Sequence, residues 1–298
     1  MKSNDTYLNI LISFAYAGLS KRFNDTALGY SQDERINLMI DSGAFTIYNA
    51  KTKNKKLNLD SYCNYLEEAQ SNVEKYVMLD VIKNEKETKN NYQIMLDRGF
   101  NPMYVFTEYD NNWSYLKDAV KNNKHLCVAG GVSNKGKWML KRYQEVYKNT
   151  NALIHALGFV SYPNMYKLPI HSVDSSSWIQ SGQRFGSICY FDNGIKCLHY
   201  KDYLTQKKKL PYKLQLILEN LQITPNEFID LNNHKGSRGI ATIINVLTYL
   251  EYQKYSKRIG LNLFLAVGTD EQLKRIVYID EQYNLDKLRY NDYKKYSC

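Results

Sequence analysis

The chain has 298 residues, 44% of them hydrophobic, enough apolar material for a sizeable core and too much for a disordered polymer. With 40 Lys and Arg against 30 Asp and Glu, the net charge is +10, a balance that suits polyanionic partners such as nucleic acid. No run approaches the roughly 18 apolar residues of a membrane span. Polar Ser3, Asn4, Asp5 and Thr6 stand where a secretory leader would carry basic residues, so neither membrane insertion nor secretion is expected.

The first two thirds of the chain repeat one pattern, in which a short apolar run ends in polar or glycine residues and an amphipathic stretch follows. The runs are Tyr7 to Tyr16, Ile36 to Phe45, Lys75 to Ile82, Asn101 to Glu108, His125 to Val132, Ala152 to Phe159 and Ile170 to Trp178. Arg184 to Phe191 is a weaker eighth candidate. Near-continuous apolar runs of this length are what strands buried on both faces require. Between them, Asp60 to Tyr76, Thr88 to Arg98 (stopped by Gly99), Asn112 to Lys124 and Lys137 to Lys148 read as helices.

Strand–helix alternation implies parallel strands, and seven or eight such units suit an α/β fold of the (β/α)8 TIM-barrel type, with an open doubly wound sheet as the structural rival. After about His199 the pattern changes to a basic run (Lys207 to Lys209), a leucine-rich helix (Leu214 to Leu221), a capped helix start at Thr224 and Pro225, and an apolar helix, Gly239 to Tyr255. Leu261 to Val267 is either a further strand or a buried helix. Residues 1–198 are therefore expected to form the main part of a catalytic barrel. Residues 199–298 would complete it and add a helical, basic C-terminal region.

Five cysteines (Cys63, Cys127, Cys189, Cys197 and Cys298) are scattered, with no CxxC pair and no zinc spacing. A reduced cytoplasmic setting, no disulfide frame and no bound metal are expected.

In a barrel of this type catalytic side chains sit where the strands run out at their C-terminal ends. Here the runs end in acid and glycine: Asp41-Ser42-Gly43-Ala44-Phe45, Leu79-Asp80, Gly130-Gly131, His155-Ala156-Leu157-Gly158 and Val173-Asp174-Ser175. An aspartate among apolar residues costs several kcal/mol to desolvate unless it is paired or used. One such residue could form a turn, as Asp-Ser-Gly often does, but three at equivalent places point to chemistry. Read from the residues alone, His155 is an internal strand histidine, Cys127 is core and Glu108 ends the fourth strand beside the site. Lys135, Lys137, Lys141 and Arg142 are either phosphate contacts or a solvated helix face.

Over about Tyr7 to Trp178 these motifs, in this order, resemble the tRNA-guanine transglycosylase family. Asp41-Ser42-Gly43-Ala44-Phe45 is similar to that family's Asp-Ser-Gly-Gly-Phe. The family's cysteine-rich zinc segment is missing, and the shorter chain is closer in appearance to phage and genomic-island members that modify DNA. The resemblance implies a (β/α)8 barrel that exchanges guanine for a 7-deazaguanine derivative. It makes Asp174 the nucleophile toward C1′ and Asp41 the acid and base for the leaving and entering bases. Asp80 would recognise the base, with Ser42, Gly43, Phe45, Glu108, Gly130, Gly131, His155 and Gly158 lining its pocket. Phe45, Phe159 or Tyr162 would sandwich a flipped nucleotide. No cofactor is implied. The implied partners are DNA (or tRNA) and a free 7-deazaguanine base, with a homodimer or an accessory protein allowed, in the cytoplasm of a bacterial cell that hosts the gene or its phage. A tRNA substrate, a hydrolytic N-glycosidase and an inactive nucleic-acid-binding barrel are the alternatives.

Overall fold

The computed structural model describes residues 8–49, 58–69, 73, 75–107, 110, 112–129, 136–159, 165–183, 186–199, 202, 209–224, 226, 228 and 238–284. They belong to two compact units, one made of Met1–Ser175 with Ile259–Asp270, the other of Ser176–Arg258 with Glu271–Cys298. The strands are β1 (Leu8–Ser13), β2 (Ile36–Asp41), β3 (Lys75–Tyr76), β4 (Tyr104–Phe106), β5 (His125–Ala129), β6 (Leu153–Leu157), β7 (Ile170–Ser175), β8 (Ser187–Phe191), β9 (Ile195–His199) and β10 (Asn262–Val267). Helices α1 (Phe14–Ala17), α2 (Lys21–Ser31), α3 (Ala44–Asn49), α4 (Leu59–Ala69), α5 (Glu85–Asp97), α6 (Trp113–Asn122) and α7 (Gly136–Thr150) lie between the strands of the first unit. The second unit holds α8 (Ser177–Gln183), α9 (Tyr212–Asn220), α10 (Arg238–Arg258) and most of α11 (Asp270–Asn284).

The first unit is a parallel eight-stranded sheet in the order β3-β2-β1-β10-β7-β6-β5-β4. Its outer strands are linked: Val77 bridges Met103, the Met78 N–H donates to the Met103 carbonyl at 3.0 Å, and the Met103 N–H donates to the Tyr76 carbonyl at 2.9 Å. All six residues of β1 are buried, as are the three of β4, the burial on both faces that the continuous apolar runs require. Local chemistry sets the helix ends. Asn84 accepts the Glu87 N–H at the start of α5, Asn112 accepts that of Tyr115 at the start of α6, and Gly99, at φ +84°, follows α5.

Two sequence expectations change. The eighth strand is not Arg184 to Phe191: Ser187–Phe191 pairs antiparallel with β9 as a separate hairpin, and β10 enters between β1 and β7. The hairpin carries a three-residue turn at Asp192, Asn193 and Gly194, a loop that returns the chain antiparallel and cannot feed a parallel crossover. The two compact units divide at Ser175, and the Ile259–Asp270 return supplies the last strand of the first. Arg142 is no phosphate contact either. It is buried, its guanidinium stacks 4.1 Å from the Phe106 ring centre and 5.2 Å from that of Trp113, and it donates to the carbonyls of Thr107 and Asp110. The Thr224–Pro225 helix start falls largely outside the described residues.

The Arg142 arrangement needs a planar fork as well as a charge. Arg142→Lys is expected to lower unfolding stability by roughly 1–3 kcal/mol, the range for a buried donor set left partly unsatisfied. Urea denaturation of the two proteins checks it, and equal midpoints would reduce the stack to a surface contact.

Candidate active site

Three carboxylates stand at the C-terminal ends of β2, β3 and β7. Asp41 is the last residue of β2, where its Oδ2 accepts the Gly43 N–H at 2.9 Å before α3 begins at Ala44. Gly43 sits at φ +81°, and a Cβ there would collide with the Ala15 methyl and come 2.5 Å from Ser13 Oγ. The glycine of Asp-Ser-Gly is thus required twice over, by its backbone conformation and by the closeness of the β1–α1 junction. Ser42 is fully buried.

Asp80 lies three residues past the Val77 bridge on a segment pinned by α5. Asn91 donates to the Leu79 carbonyl at 3.1 Å, and the Thr88 hydroxyl accepts the Val81 N–H at 2.9 Å. Asp174 precedes the last residue of β7, and its Oδ1 accepts the Gly158 N–H at 2.7 Å. Gly158, at φ +64°, has open space around its Cβ direction, so the left-handed backbone that aims its N–H is what favours glycine there.

A polar stack sits behind these acids. His155 is fully buried. Its Nδ1 shares a 2.8 Å hydrogen bond with Ser172 Oγ, and its Nε2 comes within 3.4 Å of Asp174 Oδ1 without hydrogen-bond geometry. Ser172 and Asp174, two apart on β7, share a face, and β6–β7 register sets Ser172 opposite His155. On the other side the Phe264 ring of β10 meets the His155 ring edge-on at 6.1 Å.

The electrostatics show that the three acids share one space. Burial pushes Asp41 up to about 6 with repulsion from Asp174 adding to it, while the Gly43 N–H, His155 and Ser13 act the other way. Burial pushes Asp80 up to about 7, and Asp41 is the charge that adds to it. The buried Cys127 thiol on β5 is raised first by burial and then by Asp41, Asp174 and Asp80 together, so the cysteine lies within the field of all three. Around them His155 Nε2 and Tyr143 Oη are buried without a hydrogen-bond partner among the described residues, while the Ser13 hydroxyl bonds to Asp41. The Tyr143 hydroxyl is raised by burial and then by Asp174. Orphaned polar atoms gathered about desolvated acids mark a place where a polar ligand or water completes the bonding.

The structure therefore brings Asp41, Asp80, Asp174, His155, Ser42, Gly43 and Gly158 into one region. Phe45, 63% exposed on α3, is free to stack on a ligand, whereas Phe159 packs on Tyr143 with ring centres 5.5 Å apart. Glu108, Gly130, Gly131 and Tyr162 lie outside the described residues. Sequence reasoning passed over Ser13, Ser172, Tyr143 and Phe264. Two of them left a signal: Ser13 ends an apolar strand as Asp41 does, and Ser172 is two residues from Asp174. Among the described residues no three His, Cys, Asp or Glu side chains form a metal-holding cluster, and no helix is long and apolar enough to cross a membrane.

The raised acids tie stability to pH. A carboxyl whose folded pKa lies above its unfolded value of 3.8 contributes stability below that value, and loses the contribution as pH rises through about 6 for Asp41 and about 7 for Asp80. Asp80→Asn should therefore gain on the wild type between about pH 4 and about pH 8, by a few kcal/mol at most. Urea midpoints across that range test it, and a pH-independent difference would mean that Asp80 is not held protonated.

No protein-family model matches the chain, and no curated protein matches it in sequence.

Proposed function

We propose that the first unit is a base-exchange glycosyltransferase that replaces guanine in nucleic acid, DNA in preference to tRNA, with a 7-deazaguanine derivative through a covalent aspartyl-sugar intermediate. The observation that carries this reading is the convergence of Asp41, Asp80 and Asp174 about Cys127, with unpartnered His155 and Tyr143 atoms beside them. The order of the acid-bearing motifs along the chain, similar to that of the tRNA-guanine transglycosylases, supports it. The fold is read with it as a (β/α)8 barrel carrying a C-terminal helical appendage, for which the Val77–Met103 link between the outer strands speaks.

Glycosidic cleavage builds positive charge on the sugar, and a carboxylate on the far face traps C1′. Asp174 takes that role, since the Gly158 N–H fixes one of its oxygens and His155 backs it. The departing guanine needs a proton that the incoming base must then give up. Asp41, at about 6, exchanges protons near neutrality. Asp80 in its carboxylate form accepts the N1–H and exocyclic amine of the base. Because burial raises both carboxyls and the Asp41 charge raises Asp80 further, the pair retains a proton toward neutral pH, and a pair holding a single proton presents an acid and an acceptor together. DNA is taken as the preferred polymer because the cysteine-rich zinc segment of the tRNA enzymes is missing from the sequence, the +10 charge suiting phosphate contacts on either polymer.

Guanine labelled on the base, incubated with matched DNA and tRNA at fixed salt, tests the assignment. Incorporation into DNA supports it, faster labelling of tRNA reverses the polymer, and release of free base without incorporation makes the protein a hydrolase. Asp174→Asn should leave no covalent nucleic-acid adduct on a denaturing gel, and retention of the adduct would move the nucleophile elsewhere. Asp41→Asn should slow exchange by about 10²–10⁴-fold, the usual contribution of a positioned proton donor. The wild-type rate should be bell-shaped in pH. Both limbs belong to the Asp41–Asp80 pair, the acid limb to its double protonation and the alkaline limb to loss of its last proton, with the maximum near the interval from about 6 to about 7. A flat profile across that interval would remove both assignments.

A further inference from the structure

The second unit holds two thiols that the proposed chemistry does not use. Cys189 on β8 and Cys197 on β9 are directly opposed in the antiparallel hairpin, with their sulfurs 3.0 Å apart. The backbone around Cys189 identifies the kind of pair. Its N–H donates to Asn245 Oδ1 at 2.7 Å and its carbonyl accepts the Thr248 hydroxyl at 2.8 Å, both side chains belonging to α10. A residue whose two backbone groups point away from the partner strand sits at a non-hydrogen-bonded position, where opposed Cα atoms are about 4.5 Å apart and side chains approach most closely. That separation lies at the short end of the roughly 4.4–6.8 Å span of disulfides. The α10 anchors and the turn, in which the Asp192 N–H donates to the Gly194 carbonyl at 2.9 Å, hold the register against a slip that would part the two thiols.

We propose that Cys189 and Cys197 form a reversible dithiol–disulfide site that is oxidised by exchange with a small molecular disulfide such as oxidised glutathione. The accessibility of the two sulfurs assigns their roles, because Cys197 is exposed and Cys189 fully buried. The Cys197 thiolate attacks one glutathione sulfur, forming a mixed disulfide and releasing one glutathione thiolate. Cys189 then loses its proton to solvent base and attacks the Cys197 sulfur, closing the intramolecular bond and releasing the second glutathione. Two protein thiols are oxidised while one glutathione disulfide is reduced to two thiols, so electrons balance.

The microenvironment fits this division. The hydrogen bond from the Cys189 thiol brings Cys197 down to about 7 against its partial burial, and the Ser181 hydroxyl of α8 acts in the same direction. Cys189 is raised by the same bond and by burial, as suits a resolving thiol that reacts only after the first step. Cys63 and Cys127 are both buried and raised, first by burial, and do not compete.

The full chain, reduced and then equilibrated with oxidised glutathione, should yield on peptide mapping a Cys189–Cys197 linked pair two hydrogens lighter than the dithiol, reversed by dithiothreitol. Cys189→Ser should stop at a stable glutathione adduct on Cys197. The wild-type map is decisive even if that variant fails to fold. A wild type that accumulates the same adduct, links Cys197 to another cysteine or leaves both thiols free would overturn the proposal.

Discussion

Desolvation of acids at the ends of parallel strands is the constraint around which the first unit is built. A carboxylate moved from water into a protein interior costs several kcal/mol unless charge or hydrogen bonds compensate it. Asp41 and Asp80 are compensated only in part. Each keeps an upward shift led by burial, to which a neighbouring acid adds, and at Asp41 His155 and the Gly43 and Ser13 hydrogen bonds offset only part of it. A strand end needs no acid for its own pairing, so two acids kept there against a desolvation cost make physical sense as a site held at the expense of stability.

The sheet supplies the means of holding it. In a parallel sheet all C-terminal ends lie on one side, so acids ending β2, following β3 and near the end of β7 share a region although 133 residues separate the first from the last (174 − 41). Each is fixed by a backbone device instead of a counter-charge. The Gly43 N–H holds Asp41, the Gly158 N–H holds Asp174, and α5 side chains pin the backbone on both sides of Asp80. Neutral N–H donors orient a carboxylate without supplying a cation that would neutralise it, and the acids keep the tunable protonation that proton transfer needs.

Local chemistry was legible where it is written in a contiguous run. β1, β2 and β7 follow from apolar runs bounded by polar residues, and the trio of aspartates from their places at run ends. β10 was ambiguous because a short apolar segment such as Leu261 to Val267 has no periodicity that separates a buried strand from a buried helix. Its place between β1 and β7 depends on pairing across the intervening residues of the second unit, a relation no local window holds. Ser187–Phe191 has the composition of a barrel strand, and only the Asn193-Gly194 turn behind it signals a hairpin. Arg142 misled because charge in an amphipathic helix reads as surface, whereas the Phe106 and Trp113 faces that take it in come from other elements.

His155 shows how the same sequence feature serves fold and site at once. As a histidine inside an apolar strand it reads as a core residue whose nitrogens must be satisfied, and Ser172 satisfies one of them. The other nitrogen points toward Asp174 with no completed hydrogen bond, so half of the ring's polar demand is left to the site. A fold selected for stability alone would close that contact, because a buried nitrogen without a partner costs about 1–3 kcal/mol. Tyr143 Oη, on α7, is left open in the same way. Polar atoms on β6 and α7 left unmatched beside Asp174 are a demand that water or a polar ligand can meet.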